Sequence, residues 1–214
     1  MIVKWITCAV PEEERTAFAK AQSEWSALAS VAGFGGQVGG WNLRDPHQAC
    51  ILALWRDADE YRRFMAEEHD RIVERSEQGR TYSSIAVSLF ESVIEIPGSE
   101  RTIQEALSSG RVLRVADCRI GAGREPSFYA VQREIWNPAM LATSGQLGGL
   151  VSRERLTEGE SQRHLVTSFW THAAAHDDYV AKRESALRKQ AQIERDVEEM
   201  RSTLILLEPS WRVG

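Results

Sequence analysis

Ile2 to Val10 is rich in Val, Ile, Trp and Thr and stops at Pro11, which predicts a β-strand ended by a residue unable to donate to a ladder. Phe18, Ala21, Trp25 and Leu28 then fall three and four residues apart, one face of an α-helix. Pro11 with Glu12-Glu13-Glu14 suits that helix's first turn, and Gly33 ends it. Phe34 to Leu43 predicts a glycine-punctuated strand, and Cys50 to Trp55 an apolar one. A second helix from near Asp57 carries Tyr61, Phe64, Met65 and Ile72 on its buried face and stops at Gly79. Ile85 to Ile96 closes the set.

The pattern then repeats. Gly36-Gln37-Val38-Gly39-Gly40 returns as Gly145-Gln146-Leu147-Gly148-Gly149, Cys8 as Cys118, Phe18 as Phe128, Gln22 as Gln132, and Leu54-Trp55 as Phe169-Trp170. The second copy predicts strands at Leu113 to Ile120, Leu147 to Arg153, Leu165 to Trp170 and Thr203 to Leu207. Its helices are expected over Phe128 to Leu141 and Tyr179 to Val197. Leu156 to Ser161 is an insertion where the first copy has the shorter Leu43 to Pro46. The domains are then 1–96, a linker over 97–111 with a short helix capped by Ser99, and 112–214.

Each copy reads β-α-β-β-α-β, a ferredoxin-like split unit with two helices on one face of a four-stranded antiparallel sheet. Such a sheet standing alone alternates apolar and polar residues. Cys50-Ile51-Leu52-Ala53-Leu54-Trp55 does not, and Val3 and Trp5 back onto Ile2, Ile6 and Cys8. Both faces need cover, so the expected fold is α+β, with tandem ferredoxin-like repeats forming an intramolecular dimeric α+β barrel. A small-molecule hollow is expected between its two sheets.

Composition narrows the function classes. With 26 Lys+Arg against 31 Asp+Glu the chain lacks the basic face a nucleic-acid binder uses. No apolar run is long enough to span a membrane. The N-terminus enters a strand without a signal-peptide pattern, and three cysteines make no disulfide framework, so a cytoplasmic location is expected.

Met1 to Cys8, Gly33 to Trp41 and Leu52-Ala53-Leu54-Trp55 resemble the YdbC-like bacterial proteins of unknown function. More distantly, the plan is similar to the antibiotic-biosynthesis-monooxygenase and haem-degrading-monooxygenase group. There a Gly-Phe pair opens the second strand and a Trp ends the third, as Gly33-Phe34 and Trp55 do here. The resemblance implies a barrel, oxygen chemistry inside it, and haem as a cofactor of one branch, with the axial His on the second helix. No cofactor is otherwise expected.

His69 is the candidate catalytic residue, as base or orienter. The alternative is a helix His bonding Asp70. Gln37 and Gln146 offer amides to a bound carbonyl, or mark bulges that let the sheet curl. Trp41, matched by Leu150, and Asn42 suit a pocket found in one copy only. Tyr61, matched by His176, supplies a phenol, whereas the recurrent Trp55 and Trp170 read as core. His172 and His176 share a helical spacing without a third ligand, so no metal site is expected, and their segment reads as solvated. The expected function is monooxygenase-like chemistry on a small apolar or aromatic ligand. A non-catalytic binding or stress-response module is the alternative, and the chain is expected to act as a pseudo-dimer or a homodimer.

Overall fold

The computed structural model describes residues 1–155 and 162–214, so the Leu156–Ser161 insertion lies outside the described residues. In the first copy, β1 (Ile2–Ala9) leads through a 3-10 turn to α1 (Arg15–Ser23), which continues as a 3-10 segment over Glu24–Ser30. Then come β2 (Phe34–Asn42), β3 (Asp45–Trp55), α2 (Ala58–Glu67), α3 (His69–Ser76) and β4 (Ser84–Ile96). After α4 (Ile103–Ser109), the second copy runs β5 (Val112–Ile120), α5 (Glu125–Val131), a π-helical turn (Gln132–Trp136), α6 (Asn137–Leu141) and β6 (Gln146–Glu154). It finishes with β7 (Gln162–Trp170), α7 (Ala173–Tyr179), a π-helical turn (Val180–Glu184), α8 (Ser185–Ala191) and β8 (Val197–Leu207). The eight strands hydrogen-bond in the order β1-β3-β2-β8-β5-β7-β6-β4, which closes on itself. This is the α+β barrel topology expected of two ferredoxin-like copies.

Two compact units divide the chain. Unit 1 is Met1–Leu89 with Ile205–Gly214, and unit 2 is Phe90–Leu204. In unit 1, β3 lies antiparallel to both β1 and β2, with Trp5 opposite Leu52 and Val38 opposite Leu52 on the other side. The last residues of β8 pair with β2, Leu207 opposite Gly40. In unit 2, β7 takes the central place between β5 and β6, and β6 pairs with β4. Val3, Trp5 and Leu52 are buried as fully as Ile2 and Cys8, which is why these strands read as apolar throughout rather than alternating.

The glycine motif does not superpose in the two copies: Gly36 stands opposite Leu54 and Gly148 opposite Phe169, Gly40 opposite Cys50 and Ser152 opposite Leu165, so the strands correspond three residues away from the sequence match. A bulge falls between Phe34 and Gly36 in β2 and between Gln146 and Gly148 in β6, and Gly36 and Gly148 take φ of 118° and 144°. A Cβ on Gly40 would meet the Leu206 carbonyl oxygen at 1.9 Å, and one on Gly149 the Thr167 oxygen at 2.0 Å. The strands approach too closely there for any side chain.

Several boundaries differ from expectation. The linker helix is capped by Thr102 rather than Ser99: Thr102 Oγ1 accepts from Glu105 N–H at 3.1 Å and Glu105 Oε2 accepts from Thr102 N–H at 3.3 Å. The second helix of the first copy breaks at Glu68 (φ −130°, ψ −30°), because the apolar spacing continues across a bend that side-chain periodicity does not register. In the second copy the helix ends at Ala191, where Gln192 turns left-handed at φ 46°, and β8 begins at Val197, so the helical expectation overran and the strand expectation started late. The cavities described below lie within single units, on the sheet face that carries the helices.

Candidate functional site

Unit 1 holds a cavity of about 410 Å³, open to solvent beside Ile85 and Val87. Alternate residues of β1 (Lys4, Ile6, Cys8) and β3 (Ile51, Ala53, Trp55) form its floor, because a strand presents every second side chain to one face. Phe18 and Gln22 of α1, then Trp25 and Leu28, make one wall. Tyr61, Phe64 and Met65 of α2 with His69 and Val73 of α3 make the other. Trp55 stacks on Phe64 at 4.7 Å between ring centres and meets Tyr61 edge-on at 5.6 Å, so the floor and the α2 wall are one aromatic cluster.

The start of α2 is fixed by Asp57, whose carboxylate accepts from Glu60 N–H (2.9 Å) and Asp59 N–H (3.0 Å). The bond from the Glu60 amide, chiefly, holds that carboxyl below its ordinary range. This cap aims Tyr61 and Phe64 inward. The bend at Glu68 makes His69 the first residue of α3, and its ring lies 5.7 Å from Trp25 and 5.8 Å from Phe64. His69 Nδ1 is 2.9 Å from Asp70 Oδ1, so the carboxylate expected as its partner holds the ring while the ring lines the cavity. Trp25 Nε1 donates to Gln78 Oε1 and Gln78 Nε2 to Gln22 Oε1, each at 2.8 Å, which ties the opposite wall together.

Lys4 is the residue that sequence reasoning passed over. It is 7% exposed on the cavity floor, with Nζ 5.5 Å from the centre of the Tyr61 ring. Among the described residues it has no ion pair or hydrogen bond, and the lining contains no Asp or Glu. Burial lowers its pKa from 10.5 to about 8. The signal was present in the sequence: a lysine between Ile2 and Ile6 on a face whose other members are apolar. Burial also pushes Tyr61 up and Cys8 up to about 12, so both stay protonated.

The other expected residues fall in different places. Gln37 lines the cavity, and its Nε2 donates to the Trp211 carbonyl at 3.4 Å while its backbone pairs with Val213. Trp41 is outside the lining; it packs on Phe18 and Trp211, with the Arg15 guanidinium 3.9 Å above its ring. Asn42 closes the β2–β3 hairpin, donating to Gln48 Oε1 at 2.9 Å and accepting from Arg44 N–H at 3.0 Å. In unit 2, the Gln146 side chain lies beside the Pro97 carbonyl (3.1 Å) and Gly148 N–H (3.2 Å), and with its amide turned so that nitrogen faces the carbonyl it donates to the first and accepts from the second. The structure thus brings His69, Tyr61 and Gln37 to one cavity and leaves Trp41, Asn42 and Gln146 outside it.

Unit 2 has the corresponding place, shrunk to about 50 Å³. Arg114 stands for Lys4, Ser168 for Ala53, His176 for Tyr61, Tyr179 for Phe64, Glu184 for His69 and Arg188 for Val73. His176 is buried, not solvated, and burial lowers its pKa. His172 instead caps α7, its Nδ1 accepting from Ala175 N–H at 3.1 Å, so the two imidazoles serve different ends.

Strand order, helix placement and paired cavities define an α+β barrel of the monooxygenase-like fold. Residues 2–90 match the model of a domain of unknown function, DUF4937. Over 93 residues, 42% of this chain and 78% of the relative, the sequence is 40% identical to the uncharacterized protein YdbC of Bacillus subtilis (strain 168). The chain belongs to this YdbC family. Among solved structures it is similar to a candidate monooxygenase from Lactobacillus acidophilus NCFM (TM-score 0.72, 10% identity, 100% of this chain and 95% of that one). An anthrone oxidase-like protein gives a TM-score of 0.70 at 14% identity, over 97% of this chain and 91% of that one. A dye-decolorizing peroxidase from Bacteroides thetaiotaomicron VPI-5482 gives 0.63 at 6% identity, over 98% and 93%. These likenesses establish the fold. No helix among the described residues is long and apolar enough to cross a membrane.

Proposed function

We propose that the unit 1 cavity binds a small, mostly aromatic molecule in the cytoplasm and that the protein oxygenates it by monooxygenase-like chemistry. The observation that carries this reading is a pocket of about 410 Å³ lined by Phe18, Trp25, Trp55 and Phe64, with a few polar groups among them. Aromatic walls exclude water and stack a flat ligand. One oxygen atom of O₂ becomes a carbonyl at a ring CH₂ of the substrate and the other leaves as water with that carbon's two hydrogens, so the CH₂-to-carbonyl oxidation supplies all four electrons. His69 acts as base or orienter, Gln37 holds a polar group, and Tyr61 presents its phenol.

Native mass spectrometry of freshly purified protein tests the binding step, with a retained aromatic compound expected. Oxygen uptake with that compound tests the chemistry; tight binding without uptake leaves the non-catalytic binding module. Failure of every aromatic compound to bind would remove the reading.

One observation favours a haem-bearing variant. His69 is the sole imidazole in the lining, and its Nδ1 contact with Asp70 leaves Nε2 for coordination. Bound haem would supply redox chemistry at its iron, with His69 holding it. Haem titration should then raise a Soret band that His69→Ala abolishes, and absence of the band closes this variant.

A further inference from the structure

We propose that the occupant of the unit 1 cavity is an acid: an aromatic molecule whose ionised oxygen, a carboxylate or an enolate, pairs with the Lys4 ammonium. This rests on the aromatic-binding reading above and names its ligand class.

Lys4 reaches the cavity from β1, on the face shared with Ile6 and Cys8. An ammonium buried without a counter-charge costs several kcal/mol, and proteins ordinarily meet that cost with a carboxylate. Here none lines the cavity. Glu60 is buried nearby in α2, but its carboxylate is paired with Arg56 and Arg63. Unit 2 also places a cation on this floor, Arg114, and its wall carries Glu184 and Arg188, 3.7 Å apart, where unit 1 has His69 and Val73. Unit 2 thus has a carboxylate in its lining and little space. Unit 1 keeps the cation, omits the anion and leaves room for a ring system. The missing charge therefore belongs to the ligand, and the aromatic walls set the rest of its shape.

Calorimetric titration with matched probes tests this: benzoate, 2-naphthoate and 2-anthroate, each against its neutral carboxamide. For at least one ring size, the acid is expected to bind wild-type protein tenfold or more tightly than the amide. Lys4→Met should erase that preference and Lys4→Arg retain most of it. The Lys4→Met melting temperature should rise, which shows that the fold persists and that the ammonium is not structural. Raising the pH from 7 to 10 should weaken acid binding as Lys4 loses its proton. The other titratable groups facing it are Cys8 of β1, Tyr61 of α2, His69 of α3 and Tyr82 before β4. Burial pushes Cys8, Tyr61 and Tyr82 up, and His69→Gln removes the imidazole from the profile. Equal binding of acid and amide, or an acid preference that survives Lys4→Met, overturns the proposal while leaving aromatic binding intact. If no probe of either kind binds, the aromatic-binding reading falls and this inference with it.

Discussion

The two units began from one pattern and treat the same space differently. Phe18 and Phe128, Gln22 and Gln132, Trp55 and Trp170 occupy matching places, yet unit 1 keeps about 410 Å³ and unit 2 about 50 Å³. The difference lies in a few side chains. Val73 gives way to Arg188, which reaches toward Glu184 at 3.7 Å, and Phe64 and Tyr61 become Tyr179 and His176. Unit 2 gains polar groups that the interior does not fully satisfy: among the described residues the Tyr179 hydroxyl and Asn137 Oδ1 have no hydrogen-bond partner, and His176 Nδ1 comes no nearer than 3.7 Å to Asp177 Oδ1. A duplicated fold can thus hold its backbone plan while one copy keeps an open chamber and the other fills it.

The largest expected effect tests how closely the strands approach in each copy. Gly40→Ala and Gly149→Ala each force a Cβ into backbone, and each should cost about 3 kcal/mol or more in urea denaturation. A mild effect in either copy would show that the strand pairing there yields. Next comes the chamber itself. Val73→Arg with His69→Glu transplants the unit 2 pair into unit 1 and should weaken aromatic binding about 100-fold, roughly 2.7 kcal/mol. Unchanged affinity would place the ligand elsewhere.

A smaller effect concerns pH. Lys4 has a folded-state pKa of about 8, below its unfolded value of 10.5, so between those values the unfolded chain binds more protons and stability rises with pH. The contribution is fully present above the unfolded value and lost as pH falls through 8. Lys4→Met should flatten this segment of the stability curve, whereas Arg114→Met in unit 2 should leave it in place. The smallest effect separates site from scaffold: His69→Ala should lower ligand affinity about tenfold, near 1.4 kcal/mol, and Glu184→Ala should not change it.

Much of the fold was legible because repetition supplied it twice. The recurring Trp55 and Trp170 and the unbroken apolar run of Cys50 to Trp55 pointed to paired copies with both sheet faces covered, and the Gly-Gln-x-Gly-Gly match pointed the same way although it lies three residues out of the strand register. The side of the sheet that holds the space was not legible. Alternation assigns residues to two faces but does not say which face packs tightly and which is held open under helices. The site was read in part for the same reason. Tyr61, His69 and Gln37 were noticed for their chemistry, but Trp41 was favoured because the sequence match set Leu150 against it, whereas the strand register sets Arg153 there and Trp41 packs on Phe18 and Trp211. Lys4 was missed because a charge in a strand reads as a solvated position unless its same-face neighbours are checked.

Unit 1 is discontinuous: residues 1–89 are completed by 205–214, and Gln37 is held by Trp211 and Val213 from that final stretch. During synthesis the whole of the filled unit therefore leaves the ribosome before residues 205–214 can complete the open one. That completion joins partners as far apart as Gln37 and Trp211, 174 residues along the chain, the slowest kind of pairing for a chain to find.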